Sequence, residues 1–269
     1  MYKQITVCVP SFDSLDYLKI LYKSFKKNTK IAMDFIVHSN AHTSEMDVFL
    51  KENEIQFTSS PKNLGFTGVN KALKLVKTDY VFIVNTDMYF LPNWDLALLK
   101  EIKGFEKKGV DKFTLSADLI EPAGNNPEYV IEYFGHDTCS FQEDNLLNFY
   151  YNNKSRLNTG DKTQYSHPIL VPMKYMKVIG YLDDNYFPGW SVDHDLPAAL
   201  YIMGFRHFKK VCSCRVYHFI SKTFTKLSKK DNMKHGQDVF LNKWGITVDE
   251  FRKKLGIANP YREVPGGIL

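Results

Sequence analysis

The sequence predicts an α/β fold: a Rossmann-like three-layer α/β/α domain with a mainly parallel central sheet, plus C-terminal helices. In the first 90 residues, short apolar runs alternate with segments whose apolar residues recur at helical spacing. This alternation is typical of a parallel sheet covered by helices. The chain has 269 residues, 44% hydrophobic and 14% aromatic, enough for a sizeable core. We predict a main domain over residues 1–225 and a helical extension over 226–269 that packs on it.

The elements of the first half follow from these runs in order. Apolar runs predict strands, and apolar residues spaced three or four apart between them predict helices. Ser44 is expected to cap the second helix. The predicted strands are Ile5–Pro10, Asp34–His38, Ile55–Thr58 and Asp79–Val84, and the helices contain Leu15 to Phe25, Ser44–Asn53 and Val69 to Val76.

The second half is less regular. Phe141–Lys154 is rich in aromatic residues and is expected to form a helix or a loop that covers the site, and Pro197 is expected in the first turn of a helix. From Lys226 onward the pattern is helical. The predicted strands are Lys112–Ile120, Ile169–Pro172 and Val211–Phe219. The predicted helices are Met173–Gly180 and Asp195–Gly204, and a loop is predicted over Glu121–Asn126.

Composition limits the cellular setting. There is no apolar stretch of about 20 residues, which excludes a membrane span, and no signal peptide is visible, so we expect a cytoplasmic protein with four reduced cysteines. The net charge is +5, and much of the excess lies in Lys222–Lys234. That segment is expected to be a solvated helix face, with peripheral attachment to a membrane as the alternative. The sequence leaves the oligomeric state open.

An acidic turn follows the strand that ends at Val84. The turn is Asn85-Thr86-Asp87, and ligands of such sheets bind at the carboxyl ends of the strands. A carboxylate held there could bind a divalent cation on a diphosphate. Taken alone, the tripeptide could equally form an ordinary turn.

Four features stand in a fixed order and together carry a family resemblance. They are the turn Val9-Pro10-Ser11-Phe12-Asp13, the loop Asn63-Leu64-Gly65-Phe66-Thr67-Gly68-Val69-Asn70, the turn Asn85-Thr86-Asp87, and Gly189-Trp190-Ser191-Val192-Asp193-His194-Asp195-Leu196 followed by Gly204-Phe205-Arg206 and then His218. Over residues 5–222 this order resembles the inverting glycosyltransferases of family 2, which have a GT-A fold. The resemblance implies transfer of a sugar from a nucleotide-sugar donor, expected to be a UDP-sugar, to a hydroxyl acceptor such as a glycan or a lipid-linked molecule.

The resemblance also implies a metal site for Mn²⁺ or Mg²⁺. Asp87 is the expected carboxylate ligand, and His218 matches the late histidine of the family, with a structural role as its alternative. Imidazole suits Mn²⁺ better than Mg²⁺. Asn85 stands where many relatives carry an acid and could bind a ribose hydroxyl instead; Thr86 is expected to contact the donor as well.

Further residues are implied at the donor. Gly65 and its neighbour Gly68 would let the backbone approach the ligand closely, or would serve only a tight turn. His38 could stack on the base, or Asn40 could hydrogen-bond it. The implied nucleotide-sugar residues are Pro10, Ser11, Asp13, His38, Asn40, Asn63, Gly65, Phe66, Asn85 and Thr86.

The fourth motif would serve the acceptor. Asp193 is the expected general base, which must reach the acceptor hydroxyl within hydrogen-bond distance. Because Val192 replaces the glutamate common in relatives, Asp195 remains an alternative base, or an acceptor-binding residue or helix cap. Trp190 is expected to stack on the acceptor, with packing beneath the loop as the alternative. His194 is interpreted as structural.

Two other classes compete with this interpretation. A nucleotidyltransferase usually has a glycine-rich, basic loop after the first strand, and Pro10–Ser14 contains neither glycine nor a cation. A noncatalytic sugar- or nucleic-acid-binding module could use the basic C-terminal segment and the aromatic residues of 141–151. Turnover of nucleotide sugars separates the enzyme from the binding module.

Overall fold

The computed structural model describes residues 4–124, 126, 128–157, 160, 162–220 and 229–257, with the backbone alone for 229 and 230. The strands are β1 Ile5–Phe12, β2 Asp34–Asn40, β3 Gln56–Ser60, β4 Tyr80–Ile83, β5 Met88–Phe90, β6 Phe113–Glu121, β7 Val130–Ile131, β8 Lys162–Thr163, β9 Ile169–Pro172 and β10 His207–His218. The α-helices are α1 Leu15–Asn28, α2 Ser44–Glu52, α3 Asn70–Leu73, α4 Trp94–Lys107, α5 Glu143–Leu157, α6 Met173–Val178, α7 Val192–Ile202, α8 Lys229–Trp244 and α9 Val248–Lys254. Two 3₁₀ helices cover Phe66–Val69 and Asp184–Tyr186.

The strands of the described residues form one sheet in the order β3-β2-β1-β4-β9-β6-β10-β5, with β7 beside β6 and β8 beside β10. Strands β1 to β4 are parallel to their neighbours within this group, and β10 is parallel to β6. Strand β9 is antiparallel to both β4 and β6, and β5 is antiparallel to β10. The prediction of a mainly parallel sheet is confirmed.

Both faces of the sheet are covered. The central strands bury their side chains on both faces of the sheet, and for this reason they are continuous apolar runs in the sequence. Val7 and Phe82 belong to a core that includes Leu21 of α1 and Trp94 of α4. The neighbours of these two strand residues, Cys8 and Val81, point to the other face of the sheet and belong to a second core. Helices α3 and α6 to α9 cover that face, and their buried residues include Leu73, Met176, Leu200, Phe240 and Phe251. Two helical layers around one sheet give the three layers that the sequence predicts.

The structure corrects several local predictions. Helix α7 begins at Val192, directly after Ser191 at φ 66°, rather than at Asp195. Pro197 therefore lies in the interior of the helix rather than in its first turn, where it was predicted. Glu121 is the last residue of β6 instead of the first loop residue. For Phe141–Lys154 the helical alternative is correct, because α5 occupies most of that segment.

The boundary between residues 225 and 226 lies outside the described residues, so the division into two domains stays a prediction. Membrane attachment through Lys222–Lys234 also stays a prediction, because residues 222–228 of that segment are not described. Across the described ranges, no helix combines the length and the apolar character needed to cross a bilayer.

Candidate active site

Three titratable side chains meet at one edge of the sheet. Glu121 ends β6, His218 ends β10, and Asp87 precedes β5. Because β5 runs antiparallel to β10, Asp87 lies beside the end of β10, and its carbonyl accepts a hydrogen bond of 3.0 Å from Phe219 N. His218 Nε2 lies 3.5 Å from Asp87 Oδ1, and Nδ1 lies 2.7 Å from Glu121 Oε1. We call these three residues the acid–histidine cluster.

The cluster is buried and strongly charged. The side chains of His218, Asp87 and Glu121 are only 15%, 6% and 10% exposed. Burial alone would lower the pKa of His218, but the two carboxylates outweigh burial and raise this pKa to about 10. Without a metal ion the imidazole is therefore protonated at neutral pH and neutralises part of the negative charge. A divalent cation that binds here must displace that proton.

The donors of the cluster fit a metal ion that has few protein ligands. Two ligands that both lie about 2.1 Å from one ion are roughly 3–4 Å apart, and the Asp87–His218 distance falls in that range. Glu121 holds the other ring nitrogen, an arrangement that orients many metal-binding histidines. Within the described ranges, no group of three or more His, Cys, Asp or Glu residues could hold a metal ion. Phosphate and water oxygens would have to supply the remaining ligands.

Glu121 is a residue that the sequence analysis missed. Pro122, Gly124 and Asn125 follow it, and these residues favour a loop. The sequence nevertheless contains a signal, because Glu121 follows an apolar run as Asp87 does, two residues closer to the end of the run.

The turn before Asp87 is tied to β1. Thr86 Oγ1 donates a 2.5 Å hydrogen bond to Pro10 O. Asn85 Oδ1 is buried and has no hydrogen-bond partner among the described residues. Buried acceptors without partners are rare and costly, so this amide oxygen is a position where a bound ligand hydroxyl would be stabilised. The predicted donor contact of Thr86 is untested, and its hydroxyl is already committed to β1.

At the end of β1, Ser11 is buried and its hydroxyl lies 3.1 Å from that of Ser14. Asp13 is exposed and has a left-handed φ of 46°. These two residues and Pro10 line the same edge of the sheet as Asp87, because β1 and β4 are parallel neighbours. Their assignment to the nucleotide stays a prediction.

The side chains at the end of β2 are bonded to protein atoms. His38 is fully buried, and its ring nitrogens lie 2.9 Å from Thr58 Oγ1 and 3.2 Å from Ser60 Oγ. Burial lowers the pKa of His38 to about 4. Asn40 binds the backbone of the next loop, since Nδ2 donates to Gly65 O and Oδ1 accepts from Leu64 N, both at 3.0 Å. This geometry favours support of the donor loop over direct stacking or base reading.

The loop of residues 63–66 contacts the loop that precedes α7. Phe66 N donates a 2.8 Å hydrogen bond to Pro188 O. Gly65 has a φ of 68°, and a Cβ atom there would lie 2.5 Å from the same oxygen. Asn63 Oδ1 accepts from Gly65 N at 2.8 Å and stabilises the turn. Only glycine fits at position 65, so the predicted donor loop and the segment leading to Trp190 are held against each other.

The two acids of α7 have different surroundings. The side chain of Asp193 is 44% exposed, and Oδ1 lies 3.8 Å from His194 Nε2. The side chain of Asp195 is only 6% exposed. Both oxygens of Asp195 are occupied: Oδ1 accepts from Tyr186 Oη at 3.0 Å and from Trp244 Nε1 at 2.8 Å, and Oδ2 binds Lys243 Nζ at 3.0 Å.

These contacts bear on the choice between the two acids. Asp195 joins α7 to α8 and has no free oxygen for an acceptor, whereas Asp193 is open to solvent. Trp190 is partly buried, and its backbone carbonyl lies against Gly236 of α8, where a Cβ would come within 2.3 Å. His194 lies 3.0 Å from Tyr165 Oη, and burial lowers its pKa. It contacts Asp193 and Tyr165, in line with its structural interpretation.

Comparisons with known proteins agree with the fold. The family described as glycosyl transferase family 2 matches residues 6–167. A crystal structure of S. aureus TarS, residues 1–349, superposes with a TM-score of 0.57 at 11% sequence identity, covering 89% of this chain and 72% of that chain. No curated protein matches the sequence. The structural likeness confirms the GT-A fold, and the family match covers more than half of the chain. The chain belongs to glycosyl transferase family 2.

Proposed function

We propose that this glycosyltransferase is a metal-dependent, inverting enzyme that moves a sugar from a nucleotide-sugar donor, a UDP-sugar, to a hydroxyl acceptor. The observation that carries the proposal is the separation of two kinds of acid. Asp87 is buried in the acid–histidine cluster, whereas Asp193 is exposed on a different segment. A direct displacement needs both: a site for the leaving diphosphate and a free carboxylate for the acceptor.

The donor would lie across the ends of β1, β2 and β4, with its diphosphate at the cluster. Asp87 and His218 would hold Mn²⁺ or Mg²⁺, and Glu121 would orient His218. The bound ion would neutralise the negative charge that develops on the departing diphosphate. Asn85 would accept a hydrogen bond from a ribose hydroxyl, which would satisfy its buried oxygen.

At the acceptor, Asp193 would take the proton of the attacking hydroxyl. The hydroxyl oxygen forms a bond to the anomeric carbon while the bond from that carbon to the diphosphate oxygen breaks. Attack from the face opposite the leaving group inverts the configuration. Helix α7 holds Asp193 in its first turn, and the Asp195 contacts with α8 fix the orientation of that turn. Trp190 would contact the acceptor from the same loop.

The test is a panel of nucleotide sugars incubated with the full chain, with Mn²⁺ and with EDTA. We expect release of the nucleoside diphosphate from one donor class, loss of turnover in EDTA and recovery with Mn²⁺. Turnover that EDTA leaves unchanged would remove Asp87 and His218 from a metal role. Binding of donors without any turnover would instead favour the sugar-binding module.

A further inference from the structure

A second polar cavity lies away from the acid–histidine cluster. It has a volume of about 250 Å³ and is bounded by β6, β7, β10 and the end of α5. Asp118 and Arg215 line it, three residues before Glu121 and His218 on the same strands. Side chains alternate along a strand, so an offset of three places the cavity on the opposite face of the sheet, roughly 10 Å away.

The floor of this cavity has an excess of positive charge. Lys210 and Arg215 are each only 1% exposed. They share one carboxylate: Asp118 Oδ1 lies 3.2 Å from Lys210 Nζ, and Oδ2 lies 2.9 Å from Arg215 Nη2. Burying a charge without a counter-charge is costly. The floor therefore lacks one negative charge among the residues that the structure describes.

Most N–H bonds of the Arg215 guanidinium have no hydrogen-bond acceptor among the described residues. Nη2 donates to Cys212 O at 3.0 Å and to Leu157 O, besides its contact with Asp118. Nε and Nη1 are buried and have no acceptor within the described part of the chain. Three of the five N–H bonds of the group therefore lack a partner. The register of β10 against β6 shifts between Val211 and Arg215, and the guanidinium contacts Leu157, the last residue of α5.

The rim adds further positive charge. Arg156 and Lys162 line the cavity and are exposed. Glu128 is the second acid of the lining; its carboxylate accepts from Gln164 at 2.6 Å, and its backbone carbonyl accepts from Lys210 at 2.6 Å. Four basic and two acidic side chains leave a formal excess of two positive charges.

We propose that this cavity binds a small oxyanion of the phosphate class. Such an anion supplies the missing negative charge of the floor and acceptors for the free N–H bonds of Arg215. Guanidinium groups bind phosphate oxygens through strong, charge-assisted hydrogen bonds. The cavity is smaller than the roughly 300–1,000 Å³ of sites for drug-sized ligands, which favours a small ion. None of its lining residues belongs to the proposed donor or acceptor site.

The test is calorimetric titration of the full chain with inorganic phosphate at constant ionic strength. We expect saturable binding of one phosphate, at least about tenfold weaker in the double variant Arg156→Ala/Lys162→Ala. Both side chains are exposed, so the fold should tolerate the change. The matched control is Lys100→Ala/Lys154→Ala, which removes the same charge from exposed positions outside the cavity and should bind phosphate like the parent chain.

Two further measurements test whether phosphate binds in this cavity. Arg215→Gln keeps a side-chain donor but removes the guanidinium, and we expect it to abolish phosphate binding. A titration in the presence of UDP should give the same phosphate affinity as one without it. No saturable binding, equal affinity in the parent and rim variants, or competition by UDP would overturn the proposal. Because the readout is phosphate binding, it stays informative even if no sugar transfer is found.

Discussion

The turn that contains Asp87 and the segment that contains Asp193 give their acids opposite surroundings, buried in the first case and exposed in the second. Asp87 is buried beside His218, which also contacts Glu121. Asp193 is 44% exposed, although Asp195, two residues later, is buried and held by three donors. The first region stabilises charge before any ligand arrives. In the second region one acid fixes the helix and the other stays open to solvent, which suits a base that must meet a mobile acceptor.

Replacing Asp193 by Asn should have the largest effect. We expect the rate of transfer to fall about a hundredfold to ten-thousandfold, because an amide cannot take the hydroxyl proton. Donor affinity and thermal stability should change little, since Asp193 is exposed. Asp144→Asn, in the first turn of α5 and also exposed, is the matched control. Full transfer activity of Asp193→Asn would disprove its role as base.

Asp195→Asn should act on stability instead. The change weakens the bonds from Lys243 and Trp244 that join α8 to α7. We expect a loss of about 2 kcal/mol in the free energy of unfolding, reduced from the value for a fully buried pair because Lys243 is partly exposed. Urea unfolding measures it. A stable variant with no transfer activity would make Asp195 the base instead.

The contact between the loop of residues 63–66 and the segment that leads to Asp193 can be tested at Gly65. Gly65 and Gly109 have nearly the same φ, 68° and 66°, but a Cβ at Gly109 meets nothing within 4 Å. Gly109→Ala should cost about 1 kcal/mol from backbone strain alone. Gly65→Ala should cost about 1–3 kcal/mol more, because the added methyl overlaps Pro188 O. Equal losses in thermal unfolding would show that the loops separate easily.

Glu121→Gln probes the orientation of His218. Loss of a carboxylate behind a metal-binding histidine typically weakens metal affinity about tenfold to a hundredfold, and we expect a decrease of that size for Mn²⁺ measured by calorimetry. Glu132→Gln, nearby and exposed, should leave Mn²⁺ affinity unchanged. If Glu121→Gln binds Mn²⁺ as tightly as the parent chain, Glu121 does not support the metal site.

The last prediction concerns two opposite pH dependences of the free energy of unfolding, measured by urea unfolding in EDTA. The raised pKa of His218, about 10, means that its imidazolium stabilises the fold fully below the ordinary value of 6.5 and that this contribution is lost as pH rises towards 10. The pKa of His38 is lowered to about 4, so its contribution is present above 6.5 and lost as pH falls towards 4. His218→Gln and His38→Gln should each remove one slope. If the pH dependence above 6.5 persists in His218→Gln, or the one below 6.5 persists in His38→Gln, that histidine is not its cause.

The sequence predicts the first region better than the second for physical reasons. The strands at Ile5, Asp34 and Tyr80 are apolar runs with polar residues directly behind them, so the local pattern contains both the element and its end. Two of the three partners of Asp195, Lys243 and Trp244, lie 48 and 49 residues away on α8, where no local pattern connects them to α7. The start of α7 depends on the left-handed Ser191, and a serine carries no signal for that conformation. Glu121 was missed because glycine and proline after it outweighed the strand before it.

The position of β10 has a consequence for biosynthesis. It is the last strand of the described chain, yet it lies between β6 and β5. Among the described strands, β5 pairs with β10 alone, and its residues Met88, Tyr89 and Phe90 are buried in the folded protein. A ribosome adding about 5–20 residues per second needs roughly 6–23 s to travel from Phe90 to His207. Throughout that interval β5 has no partner strand, and the nascent protein exposes an apolar edge of the kind that chaperones protect.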